Sequence, residues 1–160
     1  MILKLNSMKK ENELRELEVL YSASQEQSLK EKITSSESAY ELLIKSYNKN
    51  TICCQEQFNV LFLNNANQPL GIYKASKGGI TGTVADIRLI LGMALKSLAT
   101  GLILSHNHPS GNLKPSNADI KLTKKFKDAC SLLDISLLDH IIISPYGGNY
   151  SFADNGLISC

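Results

Sequence analysis

"GLILSHNHPSGNLKPSNAD", residues 101–119, runs from an apolar stretch through two histidines to a Ser-x-x-Asp. GLILS is a short apolar run bounded by turn residues, which reads as a buried strand. In an extended segment residues two apart point the same way. His106 and His108 then project side by side from the strand end, with Asn107 opposite. Pro109 stops the strand. Pro115 and Ser116 open a helix to about Leu133, with Ala118, Leu122, Phe126, Ala129 and Leu133 as its inner face. Lys121, Lys124, Lys125 and Lys127 lie largely off that face and read as a solvated side.

Ten residues separate His108 from Asp119, and Gly111 and Pro115 let them fold back. Asp119, in the first turn of the helix, then meets the strand end. Two imidazoles and a carboxylate from two rigid elements, with a fourth position open, match a catalytic zinc site better than a structural one. Zinc lowers the pKa of bound water from about 16 towards about 7, and a carboxylate outside the coordination sphere must then carry the proton. Ser116, one turn before Asp119, is placed to donate to an oxyanion. Ser-x-x-Asp at a helix start also reads as a capping box, which needs no metal, and paired histidines occur on ordinary surface loops. Together, the two halves of the pattern favour a metal.

Outward from this stretch, "TSSESAYELLIKSYNKN" (34–50) predicts a helix with Ser35 or Ser36 as N-cap, Glu37 in the first turn, and Tyr40, Leu43 and Tyr47 buried. "CCQEQFNVLFLNNANQPLGIYKAS" (53–76) reads as strand, turn and strand. A helix from Val84 to Leu98 follows, with Thr83 as N-cap, Asp86 in the first turn and Ile87, Leu91, Ala94 and Leu98 at helical spacing. "ISLLDHIII", a turn at "SPYGGN" and "YSF" predict a strand and hairpin. The order is helix, two strands, helix, strand, helix, two strands: a three-layer α/β or α+β domain with a mixed sheet. Residues 1–34 form a charged extension, in which "LEVLYSA" has strand character.

The 160 residues suit one compact domain, and 43% hydrophobic with 20% charged residues is ordinary for a soluble protein. A net charge of +2 says little about partners. Arg15 and Arg88 are the only arginines, which counts mildly against sequence-specific DNA reading. Cys53, Cys54, Cys130 and Cys160 lack CxxC spacing. No signal-peptide core or membrane-length apolar run is visible, so a cytoplasmic protein with reduced thiols and no membrane is expected. HExxH and the Pro-Cys-x-x-Cys of zinc deaminases are missing, and Gly78, Gly79 and Gly82 are not followed by GK[ST]. Asp139 and His140 are strand neighbours facing opposite ways, which argues against a dyad. His140 reads as a structural histidine, with a supporting role behind the ligands left open.

"HNHPSG…PSNAD" resembles the JAMM (MPN-plus) metal motif in the form used by the RadC family: His-x-His, seven residues, Ser, two residues, Asp. The likeness extends through "GGITGTVADIRLILGMALKSLATGLILSHNHPSGNLKPSNADIKLT", "LLDHIII" and "YSFADNGL", roughly residues 36–158. It implies a JAB/MPN domain over 35–160 with a cytidine-deaminase-like three-layer core, related to zinc metallo-isopeptidases. By matched position His106, His108 and Asp119 are the metal ligands and Ser116 the oxyanion helper. The family also uses a glutamate on an early strand to hold the water, and Glu56 in "QEQFNVLFL" occupies that place. Glu56 shares a strand face with Phe58, Val60 and Phe62, odd company for a charge without a task; a solvated glutamate before the strand is the other reading. Glu41 and Asp86 are weaker candidates, each explained by its place on a helix.

The expected function is a Zn2+-dependent hydrolase acting on a peptide or isopeptide bond of a peptide or protein substrate. Two other classes remain at this point. One is a DNA repair or nucleic-acid accessory protein, although a short, charge-rich extension stands where RadC-like proteins commonly carry a helix-hairpin-helix module, and the DNA contact of that module is expected to be absent. The other is a metal-stabilised binding module without turnover.

Overall fold

The computed structural model describes residues 31–78 and 85–158. Within them the chain runs α1 (Ser36–Ile44), β1 (Gln57–Leu63), β2 (Pro69–Lys77), α2 (Ile87–Lys96), β3 (Gly101–Asn107), α3 (Asn117–Ser131), β4 (Ser136–Ile143) and β5 (Asn149–Ser151). The element order is the expected one. "LEVLYSA", Thr83 and Cys160 lie outside the described residues.

The five strands form one mixed sheet in the order β2-β1-β3-β4-β5. β1 pairs antiparallel with both β2 and β3, β3 pairs parallel with β4 through the α3 crossover, and β5 folds back antiparallel on β4. Parallel neighbours need such a crossover, and the stretch from Asn117 to Ser131 supplies it. β1 and β3 are buried at every position, as central strands covered on both faces must be.

The sheet separates two apolar clusters. On one side Phe58, Val60, Phe62, Leu102 and Leu104 meet Ile90, Leu91 and Ala94 of α2 and Phe126 and Cys130 of α3. On the other, Leu61, Leu63, Ile103, Ile141 and Ile143 meet Ala39 and Leu43 of α1, with Tyr47 just beyond it. The domain is therefore a three-layer α/β structure. Phe126 and Phe58 stack with centroids 6.2 Å apart, and full burial of each ring contributes about 1.5–3 kcal/mol. This contact clamps α3 to the sheet two turns below its first residues.

Helix boundaries shift in instructive ways. Ser35 caps α1 through a capping box with Ser38, and Tyr40 is only half-buried. α2 starts at Ile87, not Val84: Asp86 is the N-cap rather than a first-turn acid, its carboxylate accepting the Arg88 N–H at 3.0 Å. Leu98 lies beyond the helix, exposed, with φ +55°. α3 ends at Ser131 rather than Leu133. Its buried stripe is Thr123, Phe126 and Cys130, while Ala118 and Leu133 are exposed.

β4 carries one irregularity that matters below. Leu102 pairs with Leu137 but Ile103 pairs with Asp139, so Leu138 is an extra residue in the strand. A bulge of this kind re-aims the side chains that follow it. Leu137 and His140 both reach the α2/α3 side, while Leu138 packs against the α1-side cluster.

Candidate metal centre

His106 is the sixth residue of β3, opposite Phe58 of β1 and Ile142 of β4, and is 1% exposed. Its ring stacks on Phe58 at 6.1 Å with an interplanar angle of 11°. His108 has just left the strand, but its N–H still donates to the Ile143 carbonyl at 3.0 Å. Both rings are held from behind. His106 Nδ1 lies 2.8 Å from His140 Nε2, and His108 Nδ1 lies 2.5 Å from the Asn112 carbonyl. Because a carbonyl only accepts, His108 carries a proton on Nδ1, and its Nε2 points inward.

The loop closes as its punctuation requires. Gly111 takes φ +79° and its N–H donates to the His108 carbonyl at 2.9 Å, which turns Asn112 back towards His108. Ser116 then caps α3. Its hydroxyl accepts the Asp119 N–H at 3.1 Å, and the Asp119 Oδ2 accepts both the Ser116 N–H, at 2.7 Å, and the Ser116 hydroxyl, at 2.6 Å. Capping and convergence on the histidines are compatible: the capping box orients the carboxylate that faces the rings. Asp119 Oδ1 stands 3.3 Å from His106 Nε2, and Oδ2 stands 3.6 Å from His108 Nε2.

His106 Nε2 and His108 Nε2 are 2.9 Å apart. The donor atoms of His106, His108 and Asp119 all lie within 4.8 Å of one another. Zinc–nitrogen and zinc–oxygen bonds of about 2.0–2.2 Å in a tetrahedron require ligand atoms roughly 3.3 Å apart, so the residues fit a single cation. Two imidazoles and a carboxylate suit zinc and other divalent transition metals alike.

The charges around the cluster agree with this geometry. Burial would raise the Asp119 carboxyl, but the neighbouring His106 and His108 rings and the Ser116 hydroxyl outweigh it and hold the group far below the usual carboxylate range. The bond to Asp119 raises His108 above the ordinary imidazole value, with further help from the Asn112 carbonyl. Burial, aided by neighbouring His106, pushes His140 well below that value, so it is neutral.

Glu56 stands immediately before β1, two residues ahead of the buried Phe58. Burial raises its carboxyl, and His106 and His108 oppose that shift, which places it within electrostatic reach of the cluster. Its backbone is pinned on both sides: the Glu56 carbonyl accepts the Gly78 N–H at 2.8 Å, and the Gln57 N–H donates to Asn107 Oδ1 at 2.7 Å. Glu41 is an exposed residue of α1, on the opposite side of the sheet, and Asp86 is engaged by Arg88 at 2.7 Å. Neither belongs to the cluster.

Three supporting residues had no such role assigned from sequence. Asn107 ties β3 to the segment carrying Glu56. Thr123, four residues after Asp119 on the same helix stripe, places its hydroxyl 2.6 Å from His140 Nδ1. Asp139 faces away from His140 and accepts from Ser151 Oγ at 2.6 Å and the Ala153 N–H at 2.9 Å, securing the C-terminal turn. The i, i+4 spacing of Asp119 and Thr123 was the one available signal.

No described helix is long and apolar enough to cross a membrane. Residues 33–157 match the RadC-like JAB domain. A UPF0758 protein from Flavobacterium johnsoniae is 48% identical over 126 residues, covering 79% of this chain and 53% of that protein. A UPF0758 protein from Porphyromonas gingivalis is 42% identical over 135 residues, covering 84% of this chain and 58% of that protein. The chain thus spans a little over half the length of these curated relatives. With residues 33–157 matched and the His-x-His and Ser-x-x-Asp brought together in space, this chain belongs to the RadC-like JAB domain family.

Proposed function

We propose that this domain is a zinc-dependent hydrolase that cleaves a peptide or isopeptide bond. The observation that carries the reading is the convergence of His106, His108 and Asp119 beside a half-buried glutamate. His106, His108 and Asp119 would hold the ion, which when bound supplies Lewis acidity and a water ionised near neutral pH. Glu56 is the proton carrier: its carboxylate takes a proton from the attacking water and returns it to the leaving amine. Burial makes Glu56 a better proton acceptor than an exposed carboxylate, because its charged form is less well solvated.

Ser116 has two tasks. Its backbone N–H and its hydroxyl both hold Asp119 Oδ2. The N–H alone keeps the carboxylate oriented when the hydroxyl turns to donate to the oxyanion. Such a donor in other hydrolases is worth about 10²–10³ in kcat. The cytoplasm, with its reduced thiols, is the proposed location.

The test measures bound metal and turnover on a panel of peptide and isopeptide substrates. Wild type should carry one zinc per chain and turn over. Glu56→Gln should keep the zinc and lose turnover, and His106→Ala should lose both. Wild type without stoichiometric metal, or with uptake unchanged by His106→Ala, would overturn the site assignment. Zinc binding without turnover on any substrate, in wild type as in Glu56→Gln, would leave a metal-stabilised binding module.

A further inference from the structure

We propose that Thr123 and His140 are positioning residues that fix the proton of His106 on Nδ1, so that its Nε2 presents a lone pair to the metal site before any metal arrives. The inference rests on the metal reading above and adds a device that readies one of its ligands.

Hydrogen-bond direction carries the argument. Thr123 Oγ1 lies 2.7 Å from the Asp119 backbone carbonyl and 2.6 Å from His140 Nδ1. A carbonyl has no proton, so the single hydroxyl proton of Thr123 goes to Asp119. The Thr123 oxygen must therefore accept from His140, whose proton sits on Nδ1. With its Nδ1–H directed at Thr123, His140 turns Nε2 towards His106 Nδ1, 2.8 Å away, as the acceptor. His106 donates there, and its own lone pair falls on Nε2, 3.3 Å from Asp119 Oδ1.

The chain starts at the backbone of one ligand, Asp119, and ends at the ring of another, His106. It is closed to solvent, with Thr123 3%, His140 0% and His106 1% exposed. Water therefore has no access to substitute for a missing partner. Along this chain the Thr123 hydroxyl, the His140 Nδ1–H and the His106 Nδ1–H each have one acceptor, so each proton is committed. Phe152 stacks on His140 at 4.7 Å and Phe58 on His106 at 6.1 Å, so both rings are packed against an aromatic neighbour.

Removing the Thr123 hydroxyl removes the rule. His140 is then free to carry its proton on Nε2 and donate to His106, which moves the His106 proton to Nε2 and blocks that position. Thr123→Val keeps the branched shape and loses the relay, whereas Thr123→Ser keeps the hydroxyl.

Zinc affinity is measured by competition with a chromophoric chelator, and imidazole tautomers by two-bond 1H–15N correlation spectra of the metal-free protein. Expected are a loss of about 10–100-fold in zinc affinity for Thr123→Val, as for other residues that support a metal ligand, and near-wild-type affinity for Thr123→Ser. In wild type and Thr123→Ser the spectra should place the His106 and His140 protons on Nδ1; in Thr123→Val an Nε2–H form of His106 should appear. Wild-type His106 protonated on Nε2 alone, or Thr123→Val binding zinc as tightly as wild type, would overturn the proposal. If Thr123→Val does not fold, the wild-type spectrum decides alone. If wild type binds no zinc, the metal reading fails, and the tautomers still decide the relay.

Discussion

Asn107 Oδ1 accepts the Gln57 N–H at 2.7 Å across the β3–β1 boundary. The same side chain donates through Nδ2 to the carbonyls of Ile52, at 2.7 Å, and Gln55, at 3.1 Å. The residue between the two converging histidines thus holds the backbone on both sides of Glu56.

Replacing Asn107 should separate metal binding from turnover. Asn107→Ala leaves three backbone groups without their side-chain partner, at a cost of about 2–4 kcal/mol. It should lower kcat by at least about tenfold through misplacement of Glu56 while the zinc content stays stoichiometric. Denaturant unfolding, metal analysis and steady-state kinetics check the three parts. A kcat equal to wild type would remove the positioning role.

Gly111 should be intolerant of a side chain. A Cβ there would stand 2.7 Å from Cδ2 of Tyr146, and the backbone has φ +79°. Gly111→Ala should destabilise by more than about 1 kcal/mol and weaken zinc binding by disturbing the bond between His108 and Asn112. Adding Tyr146→Ala removes the clash and leaves the backbone strain, so recovery should be partial. Thermal melts and chelator competition on the single and double variants measure this.

The three thiols among the described residues should react in two classes. Cys53 and Cys54 are exposed, whereas Cys130 is buried under α3. Burial pushes the Cys130 thiol up to about 11, so at pH 8 only about one in a thousand is thiolate. The sign is unambiguous: a raised value means less nucleophile at any pH below it. Iodoacetamide at pH 8 should label Cys53 and Cys54 in the native protein, and Cys130 only once it unfolds. Peptide mass mapping after timed quenching reads the order, and labelling of native Cys130 at the rate of Cys53 would contradict it.

Local rules sufficed for much of this site. The spacing of His106 and His108 follows from strand geometry, and Ser116 with Asp119 follows from helix capping. Other parts depend on partners distant in the chain. Asn107 meets Ile52, Gln55 and Gln57, and no local pattern pairs those segments. Leu122, Phe126 and Ala129 of α3 pack on the core as expected, but Ala118 and Leu133 do not, because the stripe begins with two polar residues, Asp119 and Thr123, which look like surface until the rings they serve are in place. His140 shares a face with His106 only because Leu138 is an extra residue in β4, and nothing in "SLLDHIII" signals a bulge.

β3 has an antiparallel neighbour, β1, on one side and a parallel one, β4, on the other. Where β3 ends, β1 therefore begins and β4 ends, so residues from the start of one strand and the finish of two others share a single rim. At the far rim lie Leu63 with Gly101 and the tight turn from Asn64 to Gln68. A graft or insertion at that turn sits a full strand length from the histidines, which makes it the natural place to attach a tag or a fused domain without touching the chemistry.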